Sequence, residues 1–188
     1  MDRALASAAD AIAAGRLVAY PTDTLYGLAA RATDRRAVAR LADLKGRSRD
    51  QPISVAVSSI AEVDDLAELS PSGRRFVRRH LPGPYTLLVR PSAKARRSLA
   101  PPILANPGAI GLRVPDHPVA RELARRAGPI TATSANRHGE PPSRSVRESR
   151  RLFGDRVEVY LTGGPMPSGR PSILIDLTGR EPRAIARG

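Results

Sequence analysis

Residues 20–47, YPTDTLYGLAARATDRRAVARLADLKGR, decide how the rest of the 188-residue chain is arranged. The apolar residues at 17–20 read as a short buried strand, and Pro21 breaks it. A turn of small hydroxyls follows, Thr22 and Thr24 around Asp23. Residues 27–32 predict a second short strand. Thr33 or Asp34 caps a helix in which Val38, Leu41 and Leu44 recur at helical spacing. The helix runs out into Lys45-Gly46-Arg47, with Arg49 close by. A hydroxyl turn at a strand end and a basic loop after a helix make two lips of a candidate site.

Working outward, residues 3–14 predict an amphipathic helix that ends at Gly15. Strands are predicted at 53–57, 85–90, 110–114 and 130–133, and again at 157–161, 172–177 and 183–186. Between them, Ser58 or Ser59 caps a short helix, and Ser70-Pro71 opens another with proline in its first turn. A third runs over 117–127, and Ser145 with Glu148 forms a capping box. Residues 91–107, with a proline pair at 101–102, read as a surface loop. Interleaved strands and helices argue for an α/β or α+β fold. The three closing strands, with little helix between them, argue for a mixed sheet. No composition break marks a second domain, so residues 1–188 are expected to form one.

Hydrophobic residues make up 41% of the chain, which favours a globular class over disorder. No run of about eighteen apolar residues occurs, so no membrane span is expected. The chain has no cysteine, which excludes disulfides and thiolate zinc sites. The N-terminus carries Asp2 and Asp10 and does not read as a signal peptide; a cytoplasmic location is expected. The formal charge of +13 points to an anionic partner such as a nucleotide or RNA. Of 31 basic residues only Lys45 and Lys94 are lysine, so 29 are arginine. That skew marks Lys45 as a place where a compact point charge is wanted over a planar fork.

No P-loop, dinucleotide fingerprint, zinc-helix motif or hydrolase elbow is present. The histidines at 80, 117 and 138 are scattered and read as structural or solvated. Residues 131–136, Thr-Ala-Thr-Ser-Ala-Asn, bring Ser134 and Asn136 to a strand end, where a hydroxyl and an amide suit hydrogen bonding to a ligand. Arg113 lies inside an apolar strand, so it either faces solvent or is directed at an anion. Alone, each of these features is as readily an ordinary turn, a solvated loop or a solvent-facing charge.

Taken together, the segments resemble the YrdC/Sua5/TsaC family of threonylcarbamoyl-AMP synthases. YPTDTLYGLA looks like the family's opening signature, and Lys45-x-Arg47 with Ser134-x-Asn136 is similar to its KxR…SxN signature. LPGPYTLLV, GLRVPDHPVA and ITATSANRHGEPP look like its middle blocks. The resemblance implies a twisted mixed sheet flanked by helices, with a concave basic surface, in the short single-domain form. It implies nucleotidyl transfer from ATP, with L-threonine and bicarbonate or carbon dioxide, giving threonylcarbamoyl-AMP and diphosphate. A downstream transferase would then modify adenosine 37 of tRNA. Mg²⁺ would accompany the ATP, with no dedicated protein ligands identified.

By position, the resemblance places Thr24, Arg113, Ser134 and Ser172 around threonine, with Arg113 on its carboxylate and Thr22 a rival to Thr24. It places Lys45, Arg47, Gln51, Asn136, Arg144 and Arg187 around ATP, and makes Lys45, Arg47, Ser134 and Asn136 the catalytic set. The loop from Lys45 to Pro52 and the terminal Arg187-Gly188 are candidate lids. Two departures stand out: Ala56 where many relatives carry histidine, and Ser48 where proline is common. A second reading is a non-enzymatic module that binds double-stranded RNA or the ribosome through the basic surface. Aromatics at 3% argue against stacking on single-stranded bases. A third is a relative that uses carbamoyl phosphate, ranked last.

Overall fold

The short strand ahead of Pro21 has no solvent face. In the computed structural model, which describes residues 1–48, 51–106, 108–163 and 168–186, β1 (Val18–Tyr20) is buried throughout. Because strand side chains alternate faces, β1 feeds two cores. Leu17 and Ala19 pack into the larger, with Leu41, Val55, Leu87 and Leu112. Val18 and Tyr20 pack into the smaller, with Leu5, Ile12 and Leu123.

Helix α1 (Asp2–Ala13) precedes β1, and β2 (Gly27–Ala29) pairs with it antiparallel. Helix α2 (Arg35–Lys45) begins at Asp34, whose carboxylate accepts from Arg36 N and Ala37 N at 2.8 and 3.1 Å. It stops at Gly46, which takes the left-handed conformation that glycine adopts without penalty (φ 64°). Strand β3 (Val55–Ala56), α3 (Ile60–Leu66), β4 (Ala67–Glu68), α4 (Pro71–His80) and β5 (Tyr85–Pro91) follow. Then come α5 (Ala93–Ser98), β6 (Ile110–Arg113), α6 (Pro118–Ala127), β7 (Ile130–Thr131) and β8 (Thr133–Ser134). The chain closes with α7 (Val146–Phe153), β9 (Val159–Tyr160), β10 (Ile173–Asp176) and β11 (Arg183–Ile185).

The mixed α/β class is as expected, but the described strands lie in two sheets. The smaller runs β8-β2-β1-β9 and the larger β11-β10-β5-β6-β3-β7, with β4 against β5. The predicted strand at 130–133 is therefore two strands. β7 joins the large sheet through β3, and β8 joins the small one through β2. Thr131 stitches this crossing. Its hydroxyl donates to Leu28 O and accepts from Ala30 N, while its carbonyl accepts from the Tyr20 hydroxyl at 3.1 Å.

Two points of the sequence reading are decided here. Residues 91–107 contain α5, capped by the Ser92 hydroxyl on Ala95 N. Its six residues are too few to show a helical period. Of the two readings of Arg113, the solvent-facing one is excluded: the residue is buried, because β6 is central and covered on both faces. No described helix is long and apolar enough to cross a membrane.

Candidate active site

Strand ends from both sheets meet at a cavity of about 350 Å³. Thr22, Arg47, Arg113, Ser134, Asn136 and Ser172 line it. The sequence reading missed Thr86 and Tyr26, which also line it. Thr86 sits in β5, where threonine reads simply as a good strand former. The register that pairs Leu87 with Leu112 sets Thr86 beside Arg113, and its hydroxyl lies 2.7 Å from that of Ser172. No local signal in YTLLVR separates this threonine from a packing residue.

The turn after β1 is held by Thr22. Its hydroxyl donates to Leu25 O at 2.6 Å and accepts from Thr24 N and Leu25 N at 3.2 and 3.1 Å. Its one proton is thus used, so in the 3.0 Å contact between the two threonines Thr24 is the donor. Thr22 is on the cavity wall; Thr24, at 2% exposure, lies behind it.

Arg113 is 6% exposed, and its Nη2 donates to Asp23 Oδ1 at 2.5 Å. That pair is incomplete. Arg113 Nε and Asp23 Oδ2 are both buried without a hydrogen-bond partner among the described residues. A buried donor left unpaired costs ~1–3 kcal/mol, more when charged, so this guanidinium is set to gain from an anion. Nearby, Gly163 packs so tightly on Pro21 that a Cβ would come within 2.2 Å of the proline ring. Burial raises the Tyr26 hydroxyl's pKa and lowers that of the His117 ring.

On the opposite lip, Lys45 is 4% exposed at the end of α2. Its Nζ donates to Ser134 O, Asn136 O and Asn136 Oδ1 at 2.5, 2.7 and 2.9 Å. Burial, then the neighbouring Arg47, push its pKa down to about 7, while the three acceptors favour the ammonium. Arg47 donates from Nη2 to Pro52 O at 2.8 Å, and its Nε is buried without a partner among the described residues. Burial also lowers the Arg47 pKa. The fold thus brings the four KxR…SxN residues together, with Arg47, Ser134 and Asn136 on the wall and Lys45 behind it.

The outer residues divide. Ser172 is in the cavity. Gln51 and Arg144 are not among its lining residues; Gln51 Oε1 is buried without a partner among the described residues, and the Arg144 guanidinium lies over Gly169. Arg187 and Gly188 fall outside the described residues, as do Arg49 and Asp50 in the Lys45–Pro52 loop. Ala56 is fully buried, paired with Arg113 on β6 and Ile130 on β7. No group of three or more His, Cys, Asp or Glu converges as a metal site among the described residues.

A profile of the Sua5/YciO/YrdC family, described as telomere recombination, matches residues 10–188. A Mycobacterium tuberculosis protein named provisionally as a threonylcarbamoyl-AMP synthase is 41% identical over 99% of this chain and 84% of its own length. The Chromohalobacter salexigens threonylcarbamoyl-AMP synthase is 36% identical over 92% of this chain and 94% of its own. Among solved structures, Pyrococcus abyssi Sua5 complexed with L-threonine superposes with a TM-score of 0.88 at 34% identity. That match covers 96% of this chain but 52% of the other, so the chain spans about half the length of that protein.

Proposed function

The chain belongs to the Sua5/YciO/YrdC family, and from that premise we propose that it is an L-threonylcarbamoyladenylate synthase. One observation carries the reading at the level of the site: Arg113, buried and ion-paired, keeps an unpartnered Nε beside a hydroxyl-lined cavity. A small zwitterion with its own hydroxyl suits that arrangement. Its carboxylate would meet Arg113, and its hydroxyl would meet the Thr86 and Ser172 side of the wall.

The threonine nitrogen, as the neutral amine, bonds to the carbon of carbon dioxide and releases a proton to solvent, giving a carbamate. Its oxygen attacks the α-phosphorus of ATP, the bond to the bridging oxygen breaks, and diphosphate leaves with the electron pair. Since the carbamate is itself the nucleophile, no serine, cysteine or histidine nucleophile is required. The protein's part is positioning and stabilisation of the charge that builds on the phosphoryl oxygens. Arg47 on the opposite lip suits that task. A carbamate loses carbon dioxide once protonated, so a site that keeps water from it favours the reaction.

Mg²⁺ would arrive with ATP and shield its phosphates. The product would pass, in the cytoplasm, to a transferase acting on adenosine 37 of tRNA. The test is diphosphate release from ATP and bicarbonate with and without L-threonine. Strong dependence on threonine is expected. No release with threonine, or equal release with L-serine, overturns the proposal.

A further inference from the structure

Lys45 and Arg113 are both buried cations at this cavity, yet their hydrogen bonding differs. An ammonium carries three N–H donors and no acceptor. Lys45 Nζ has three acceptors within 2.5–2.9 Å, two of them main-chain carbonyls. Its donors are spent inside the protein. Arginine could not replace it, because a planar guanidinium spreads its donors over three nitrogens and cannot converge three acceptors on one. This explains why a chain that chooses arginine in 29 of 31 basic positions keeps lysine here.

The bonding has a directional consequence. Because the ammonium only donates, the Asn136 atom facing it is Oδ1. Its Nδ2 therefore points away and donates to Glu140 O at 2.6 Å. Oδ1 can only accept, so the 2.7 Å contact with Ser134 Oγ has serine as donor. The serine's single proton is used there. What Ser134 Oγ can offer the cavity is lone pairs. Those suit the N–H of an amine or carbamate and repel a phosphate oxygen. The backbone reinforces the link, since His138 N donates to Lys45 O at 2.8 Å.

We propose that Lys45 is a positioning residue and not a phosphate ligand: it fixes the 134–136 turn, sets the Asn136 amide, and thereby makes Ser134 Oγ an acceptor for the nitrogen of the amino-acid substrate. The assignment rests on the synthase reading for its activity assays. One arm of the test does not. In the ligand-free protein, the Asn136 side-chain amide resonances, assigned by their loss in Asn136→Ala, should shift in both Lys45→Arg and Lys45→Met. Unshifted resonances in either well-folded variant overturn the proposal, whatever the protein catalyses.

The activity arms begin with threonine-dependent diphosphate release by the wild type; its absence sinks the synthase reading and leaves the amide arm to decide this one. Lys45→Arg should lose kcat/KM as severely as Lys45→Met, by about tenfold or more. Adding Lys45→Met to Asn136→Ala should cost less than about threefold further, since both act through one unit. Ser134→Ala should raise the KM for threonine more than that for ATP. Wild-type turnover in Lys45→Arg would show that charge alone suffices and overturn the proposal. So would losses that multiply in the double variant, or a Ser134→Ala defect confined to ATP.

Discussion

The two lips of the cavity each bury a cation, and they use it in opposite ways. On the basic lip, Lys45 is saturated by the 134–136 turn. On the hydroxyl lip, Arg113 is held through one nitrogen by Asp23 and keeps its Nε unpaired. Burying a charge is costly unless it is paired and hydrogen-bonded. A fully paired cation has met that cost within the fold and serves as a fastener. A half-paired one leaves part of the cost outstanding, and an incoming anion can supply the missing bonds. The difference separates the residues that build the site from those that bind with it, although both are equally inaccessible.

The hardest test of this contrast is Arg113→Met. Threonine-dependent diphosphate release should fall by ~10²–10³-fold. Stability should fall by ~3–5 kcal/mol, because Asp23 is left buried without its cation. Denaturant unfolding alongside the assay separates the two effects, and near-normal turnover would end the claim that Arg113 binds. Next, Arg47→Ala should slow turnover by about 10²-fold while costing less than ~1 kcal/mol of stability, since its one described bond is to the Pro52 carbonyl in its own loop. A large stability loss without a kinetic defect would move Arg47 into the fastener class.

Thr22→Val keeps the shape of the turn but removes the hydroxyl that Leu25 O, Thr24 N and Leu25 N share. A loss of ~1–3 kcal/mol is expected, measured by urea unfolding. Thr24→Val should cost less, because Thr24 only donates into that network. A further test concerns pH. The Lys45 pKa of about 7 lies below the amine's ordinary 10.5, so between those values the unfolded chain binds more protons. Wild-type stability should therefore rise relative to Lys45→Met as pH goes from 7 to 9.5, by up to ~1 kcal/mol per pH unit. Below pH 7 both states hold the proton, so the difference should level off there, with the cost of the buried ammonium fully present. A difference that is flat with pH would mean that the three acceptors restore the ordinary ammonium pKa.

Local signals carried much of the fold. Asp34 caps α2 and Gly46 ends it, as residue type and spacing predict, because a cap needs only neighbours in sequence. Ser59, Ser70 and Ser145 begin their helices for the same reason. Helix α5 was too short to show a period. The single strand predicted at 130–133 became two because the change of sheet at Ala132 depends on what Leu28 and Val55 present, about eighty to a hundred residues earlier.

The same division runs through the site. Of the residues that resemblance in sequence brought onto one list, the fold sets Arg47, Arg113, Ser134, Asn136 and Ser172 on one cavity wall, with Lys45 behind it and Gln51 and Arg144 outside the lining. The resemblance could not separate Thr22 from Thr24, which differ in depth, or find Thr86, which matters only through a strand partner. What the sequence by itself determined was the strand, the hydroxyl turn, the capped helix and the choice of lysine at 45. Each follows from propensity, capping or composition within a few residues. Only the tertiary structure decided that Lys45 would be saturated and Arg113 left half-paired. Those outcomes rest on partners 89 to 91 residues away, which no local pattern encodes.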